Sequence, residues 1–273
     1  MRNFQQVFRH RFGPLAVLAM IIFTLSFITR LVLLIKSWPN LELTFLRLLG
    51  IFFIGFFYDL VVCSFFAIPV ALYCWLMKDT WYQKKWQRIP LFFLYFIITL
   101  ILVLNVGGEI IFWDEFSVRY NFIAVDYLIY TTEVIGNIIE SYNIPLIASA
   151  VIAATILILY SIRNKLAASQ DTSMRFGKRT VYFLLFMLVP AAGYFGVNNR
   201  LKNTSSNNYV NELGGNGIYE FGAAFWNNEI DFNRFYATRN DTANFKILRQ
   251  MLQAPNATFS NDPLSIERTI QND

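Results

Sequence analysis

The chain has 273 residues, of which 56% are hydrophobic, 18% aromatic and only 15% charged. A soluble domain of that length carries more charge and shorter apolar runs, so the composition excludes a water-soluble globular fold and points to an integral membrane protein. The net charge of +5 is no sign of a nucleic-acid partner, because most of the surplus lies in loops on one side of the apolar runs, where it faces anionic headgroups.

Five apolar runs follow one another: Phe12 to Ile35, Leu48 to Met77, Ile89 to Val106, Pro145 to Ile162 and Val181 to Val197. A helix crosses the hydrocarbon with roughly 20 residues at about 1.5 Å each, so every run is long enough or nearly so. Lipid offers no partner for open backbone groups, which makes the runs helical. The second is too long for one upright crossing, so it tilts or stands partly clear of the bilayer. The first is too long for a signal peptide, lacks a small-residue cleavage site and is followed by further spans. Cys63 and Cys74 are three helical turns apart in the second run and cannot bridge each other.

Lys and Arg set the expected orientation. Arg2, Arg9 and Arg11, then Lys78, Lys84, Lys85 and Arg88, then Arg163, Lys165, Arg175, Lys178 and Arg179 mark one side. The opposite loops hold Lys36 and Arg47 in one and Arg119 in the other. This places the N-terminus in the cytoplasm, and five crossings deliver the C-terminus outside. The expected fold is all-α, with a transmembrane domain over 1–197 and an extracytoplasmic linker and tail over 198–273.

Two pieces outside the runs carry mixed chemistry. Gly107 to Asn143 holds six carboxylates against Arg119, together with many aromatics. Helical spacing of Ile123, Tyr127 and Tyr130, and of Val134, Ile135 and Ile138, predicts two short amphipathic helices along the outer surface. In the tail, Gly214, Gly215 and Gly217 break any helix and read as a linker turn. No strand precedes them and no Lys follows, which argues against a nucleotide loop. Asp241 is the predicted cap of a helix with Phe245, Leu248, Met251 and Leu252 on one face. Beyond it, Pro255 and Pro263 mark a polar linker. Phe225, Trp226, Phe232, Phe235 and Tyr236 form an apolar patch that either packs on another domain or rests on lipid.

Charges inside the runs are costly, about 2.5–3.5 kcal/mol each near the bilayer centre. Arg30 is the one cation within a run and Asp59 the one carboxylate. Either they pair between the first two helices, or Arg30 snorkels to headgroups while Asp59 binds water or backbone. Glu109, Asp114 and Glu115 suit acid–base work, a bound cation, or a merely solvated acidic loop. Arg119 suits a lipid phosphate or an ion pair with Asp114 or Glu115. A small proton- or ion-coupled transporter is a rival use of Asp59, but five spans without a repeat argue against it.

Two stretches, FWDEFSVRYNFIAVDYLIYTTEVIGNI (Phe112 to Ile138) and NELGGNGIYEFGAAFWNNEIDFNRFY (Asn211 to Tyr236), together with the five-span layout, resemble the membrane half of the lipoteichoic acid synthase and phosphoglycerol transferase group. In that family five helices precede an extracellular catalytic domain of the alkaline phosphatase and sulfatase type. The resemblance implies a Thr nucleophile on a divalent metal, usually manganese, in that domain, and a phosphatidylglycerol-type lipid as donor. It also implies a bacterial plasma membrane. No catalytic residue carries over. The only histidine is His10, and the tail has no His, Asp and Glu cluster for a metal. The catalytic domain is therefore expected beyond Asp273, with no cofactor in this chain. The expected function is membrane anchor and docking platform of such an enzyme; the alternative is a non-catalytic membrane interaction protein.

Overall fold

A computed structural model describes residues 6–42, 44–227 and 240–271. Among the described residues five helices are long and apolar enough to cross a membrane: α1 (Gly13–Ser37), α2 (Phe45–Leu76), α4 (Arg88–Phe116), α7 (Ile144–Ser169) and α8 (Phe176–Gly196). Short helices lie between and after them: α3 (Asp79–Tyr82), α5 (Phe122–Ile129), α6 (Thr131–Ser141), α9 (Asn208–Gly214) and α10 (Gly217–Trp226). The chain divides into two compact units, Met1–Trp226 and Asn227–Asp273. The first unit is thus not closed at residue 197: it takes in 198–226, which the sequence suggested was linker.

Asparagine starts most of the helices after α4. Asn121, Asn143, Asn207 and Asn216 each accept a backbone N–H from the first turn of α5, α7, α9 and α10. The carboxamide oxygen satisfies a donor that the helix cannot reach. At the other end of α4, Ser117 closes the helix in the left-handed region, with φ 56°, and its N–H returns to the Trp113 carbonyl.

Helix α1 is the hub, packing on α2, α4 and α7, while α8 packs on α2. Two apolar clusters fill the bundle. One joins Leu18, Ile22, Val70, Leu91, Tyr95 and Leu166 in the half nearer the N-terminus; the other joins Leu33, Leu34, Ile51 and Trp113 to Val210 and Leu213 of α9. Large exposed side chains such as Phe53, Phe93, Leu157 and Leu188 fit a lipid-facing exterior, which lipid tails cover as readily as protein does.

Span parity follows from contacts. Ser169 at the end of α7 meets Tyr82 at 3.2 Å, and Gln170 accepts from Arg88 at the start of α4 at 3.2 Å. Helix α7 therefore runs antiparallel to α4, and the segment between them begins and finishes at one end of the bundle. Helices α5 and α6, bent by 101°, are a connection and not a sixth crossing. Five crossings leave the N-terminus and residue 197 at opposite ends, here named the N-terminal end and the tail end.

The N-terminal end is held by guanidinium groups. Arg11, fully buried, donates to the Cys74 carbonyl at 2.9 Å and to that of Met77, pairs with Asp79 at 3.2 Å and lies 3.5 Å from the centre of the Tyr82 ring. Arg179 donates to Met77 as well. Cations thus meet the unpaired carbonyls at the C-terminus of α2, where the helix dipole is negative. Cys63 and Cys74 are free and buried.

Three sequence expectations change here. The third span continues ten residues past Val106, to Phe116. Gly107 and Gly108 do not end it, because tertiary packing outweighs their roughly 1 kcal/mol cost each. In the second unit, the helix after Asn240 (α11, Asp241–Met251) is capped by Asn240, which accepts from Thr242 at 2.9 Å, rather than by Asp241. The stretch read as polar linker forms an antiparallel hairpin of β1 (Ala257–Phe259) and β2 (Arg268–Ile270). Arg249 donates to the Ser260 and Ser265 carbonyls within that unit, at 2.9 Å each.

Candidate functional site: a charged clamp at the tail end

Arg30 of α1 and Asp59 of α2 face each other in a two-pronged ion pair, 2.9 and 3.0 Å. Both are buried, at 2% and 3% exposure. The planar guanidinium matches the carboxylate, so each strand of the fork is a charge-assisted hydrogen bond. Helix α2 makes room for the guanidinium at Gly55, where any Cβ would collide with it. Two further donors of Arg30 reach the tail segment: Nε to the Leu213 carbonyl and Nη2 to that of Gly215, both at 3.1 Å.

A second guanidinium repeats the arrangement from the other side. Arg119, in the connection after α4, pairs with Glu109 of α4. Its Nε donates to the Glu212 carbonyl at 2.8 Å and its Nη2 to that of Leu213 at 3.3 Å. Arg30 and Arg119 together therefore hold the carbonyl end of α9. A helix of seven residues satisfies few of its own carbonyls, Glu212 accepting only the Gly215 N–H at 3.1 Å, and cations are the natural complement of such a helix end.

Asn216 closes the gap between α9 and α10. Its Oδ1 caps α10, accepting from Ile218 at 3.0 Å and Tyr219 at 3.2 Å. Its Nδ2 donates to Asp59 at 2.8 Å, tying the cap into the ion pair. Gly217 then starts α10 directly above the Glu109 carboxylate; a Cβ there would lie 2.5 Å from it. Lys202 lies between Glu212, at 2.7 Å, and Glu220. Two tyrosines anchor the approach: the rings of Tyr58 and Tyr219 meet at 4.7 Å, tilted by 56°, and their hydroxyls donate to the Asn198 and Val197 carbonyls at 2.7 Å each. A small cavity of about 20 Å³ opens beside Arg30, Asn105, Glu109, Arg119 and Asn216, room for about one water.

Several sequence expectations are relocated. Glu109 and Arg119 are not outer-face contacts for lipid: each is 2% exposed and they pair with each other. Arg119 does not pair with Asp114 or Glu115. Asp114 instead takes Lys36 at 2.7 Å in the open, and Glu115 is exposed. Gly214, Gly215 and Gly217 are not a free linker turn but the tight crossing between two docked helices. Phe225 and Trp226 are exposed, at 57% and 77%; Phe232, Phe235 and Tyr236 lie outside the described residues. Lys202, Glu212, Asn216 and Glu220 escaped the sequence reading. The readable signal was the dipeptide Asn216-Gly217, a cap followed by a residue without a side chain.

Among the described residues no group of three His, Cys, Asp or Glu side chains is placed to hold a metal ion. The chemistry of the clamp is closed on itself: its cations meet carboxylates and helix-end carbonyls. Five apolar crossing helices with buried ion pairs between them define a multi-pass membrane protein. No family model, curated protein or solved structure matches the chain.

Proposed function

We propose that the chain is the membrane anchor and docking platform of an extracytoplasmic enzyme of the phosphoglycerol transferase or sulfatase kind, at the plasma membrane of a bacterium. In this reading the N-terminal end, rich in Lys and Arg, faces the cytoplasm, and the tail end faces out. The manganese or other divalent metal of such an enzyme would belong to its catalytic domain, as would the site for a phosphatidylglycerol-type lipid.

One observation carries the reading. The two stretches that resemble the family, Phe112 to Ile138 and Asn211 to Tyr236, are far apart in sequence yet meet in one assembly. Arg119 of the first holds the α9 carbonyls of the second, Glu109 just before the first lies under Gly217, and the Tyr120 and Phe221 rings stand 6.1 Å apart. A pinned segment fixes the point at which the chain departs toward residue 227. A rigid departure point limits where a tethered domain can go and raises its effective concentration over the lipid surface, to the millimolar range for short tethers. Exposed Phe225 and Trp226 supply the apolar contact for that domain.

The test has two arms. The 273-residue chain, reconstituted in phosphatidylglycerol vesicles with manganese, is expected to release no diacylglycerol above protein-free vesicles. In cells, the pair Phe225→Ala and Trp226→Ala is expected to lower lipid phosphoglycerol transfer by about tenfold at unchanged membrane level. Turnover by the chain alone, or unaltered transfer in the double variant, contradicts the proposal.

A further inference from the structure

The clamp does not balance its charges. Asp59 pairs with Arg30 and Glu109 with Arg119, but among the described residues Lys202 is the one cation in ion-pair contact with both Glu212 and Glu220. One carboxylate is in excess. Glu212 is well supplied: Lys202 reaches its Oε1 at 2.7 Å and the Arg119 backbone N–H its Oε2 at 3.1 Å. Glu220 is not. Lys202 reaches its Oε2, while its Oε1 is buried without a hydrogen-bond partner and lies against Gly215, where a Cβ would strike it. The residue is 4% exposed. An ionised carboxylate with one bare buried oxygen is costly, and a proton on that oxygen removes the cost.

We propose that Glu220 is a proton-binding switch on the seated tail: with the proton in place residues 198–226 are held most firmly on the bundle, and loss of the proton loosens that docking. The groups that face Glu220 are Lys202 ahead of α9, Glu212 of α9, Arg119 after α4, Tyr58 of α2 and the neighbouring Tyr219. Burial pushes the Glu220 carboxyl up to about 7; Lys202 pulls it back and Glu212 pushes it further up. An undocked Glu220 returns to the usual carboxylate range near 4.5. The docked state therefore binds the proton more tightly. Docking is strongest below about pH 4.5, weakens as pH rises through the window up to about 7, and levels off above it. Across the whole window the docking equilibrium changes on the order of a hundredfold. With the tail end outside, the switch reads external pH.

Hydrogen exchange on the full chain in nanodiscs tests this. Amides of Asn208 to Trp226, corrected for the intrinsic rate, are expected to lose at least about tenfold in protection between pH 5 and pH 8. Glu220→Gln, a permanent stand-in for the protonated acid, is expected to keep its protection throughout. Glu212→Gln removes the repulsion and is expected to move the wild-type midpoint to lower pH. Protection in the wild type that does not change with pH overturns the switch. So does an unchanged slope in Glu220→Gln, or a midpoint in Glu212→Gln that stays put or rises. Should Glu220→Gln fail to accumulate, the wild type and Glu212→Gln decide the matter.

Discussion

Replacing Arg30 by Met is expected to destabilise the protein by about 3–5 kcal/mol, the usual cost of removing one partner from a buried pair. The reason lies in what is left behind. Asp59, 3% exposed, loses both guanidinium bonds and is left buried without a countercharge. The Gly215 carbonyl loses its Arg30 donor too and the Leu213 carbonyl is left with Arg119 alone, and a buried orphan adds a penalty of its own. Asp59→Leu beside Arg30→Met removes the stranded carboxyl group and is expected to recover part of the loss, though not the contacts to α9. Thermal unfolding in detergent of the two single variants and the double variant measures the coupling. Singles that unfold like the wild type would mean that Arg30 and Asp59 are solvated rather than paired.

The second large effect is expected at Gly217, which brings the start of α10 down onto the Glu109 carboxylate. Valine there places its Cβ 2.5 Å from a group that cannot retreat, because Arg119 and Asn105 hold Glu109 in place. Overpacking of this kind costs about 1–3 kcal/mol, and the cheapest relief is to lift α10 off the bundle. Gly217→Val is therefore expected to expose 198–226 to protease while the five crossing helices persist. Gly222 in the same helix is the control: nothing lies within 4 Å of an added Cβ, so Gly222→Ala is expected to be neutral or to stabilise by up to about 1 kcal/mol. Equal protease sensitivity of the two variants would count against the close approach at Gly217.

The five crossing helices were legible because lipid punishes every alternative, and hydrophobic length alone suffices to find them. Arg30 and Asp59 were legible for the same reason: two isolated charges in apolar runs either find each other or find water. The end of α4 was not. Glu109, Asp114 and Glu115 look locally like the start of an aqueous loop, and the partner that neutralises Glu109 arrives only after the helix has closed. Docking of the tail was further out of reach. Arg30 and Leu213 are 183 residues apart in sequence, and nothing in NELGGNG states which carbonyls will meet which guanidinium. The asparagines at 121, 143, 207 and 216 were the overlooked local signal, since Asn ahead of an apolar run is a strong helix start.

Seating of residues 198–226 on the tail end of the bundle is tested most directly by a cysteine pair. Asn207 donates from Nδ2 to the Asn40 carbonyl at 3.0 Å, and both side chains reach the surface. Asn40→Cys with Asn207→Cys, in a background with Cys63→Ala and Cys74→Ala, is expected to be bridged within one chain by a short bifunctional maleimide, seen as loss of later labelling by a maleimide-linked polymer. Thiols that the short reagent modifies singly and never bridges would contradict the docked tail.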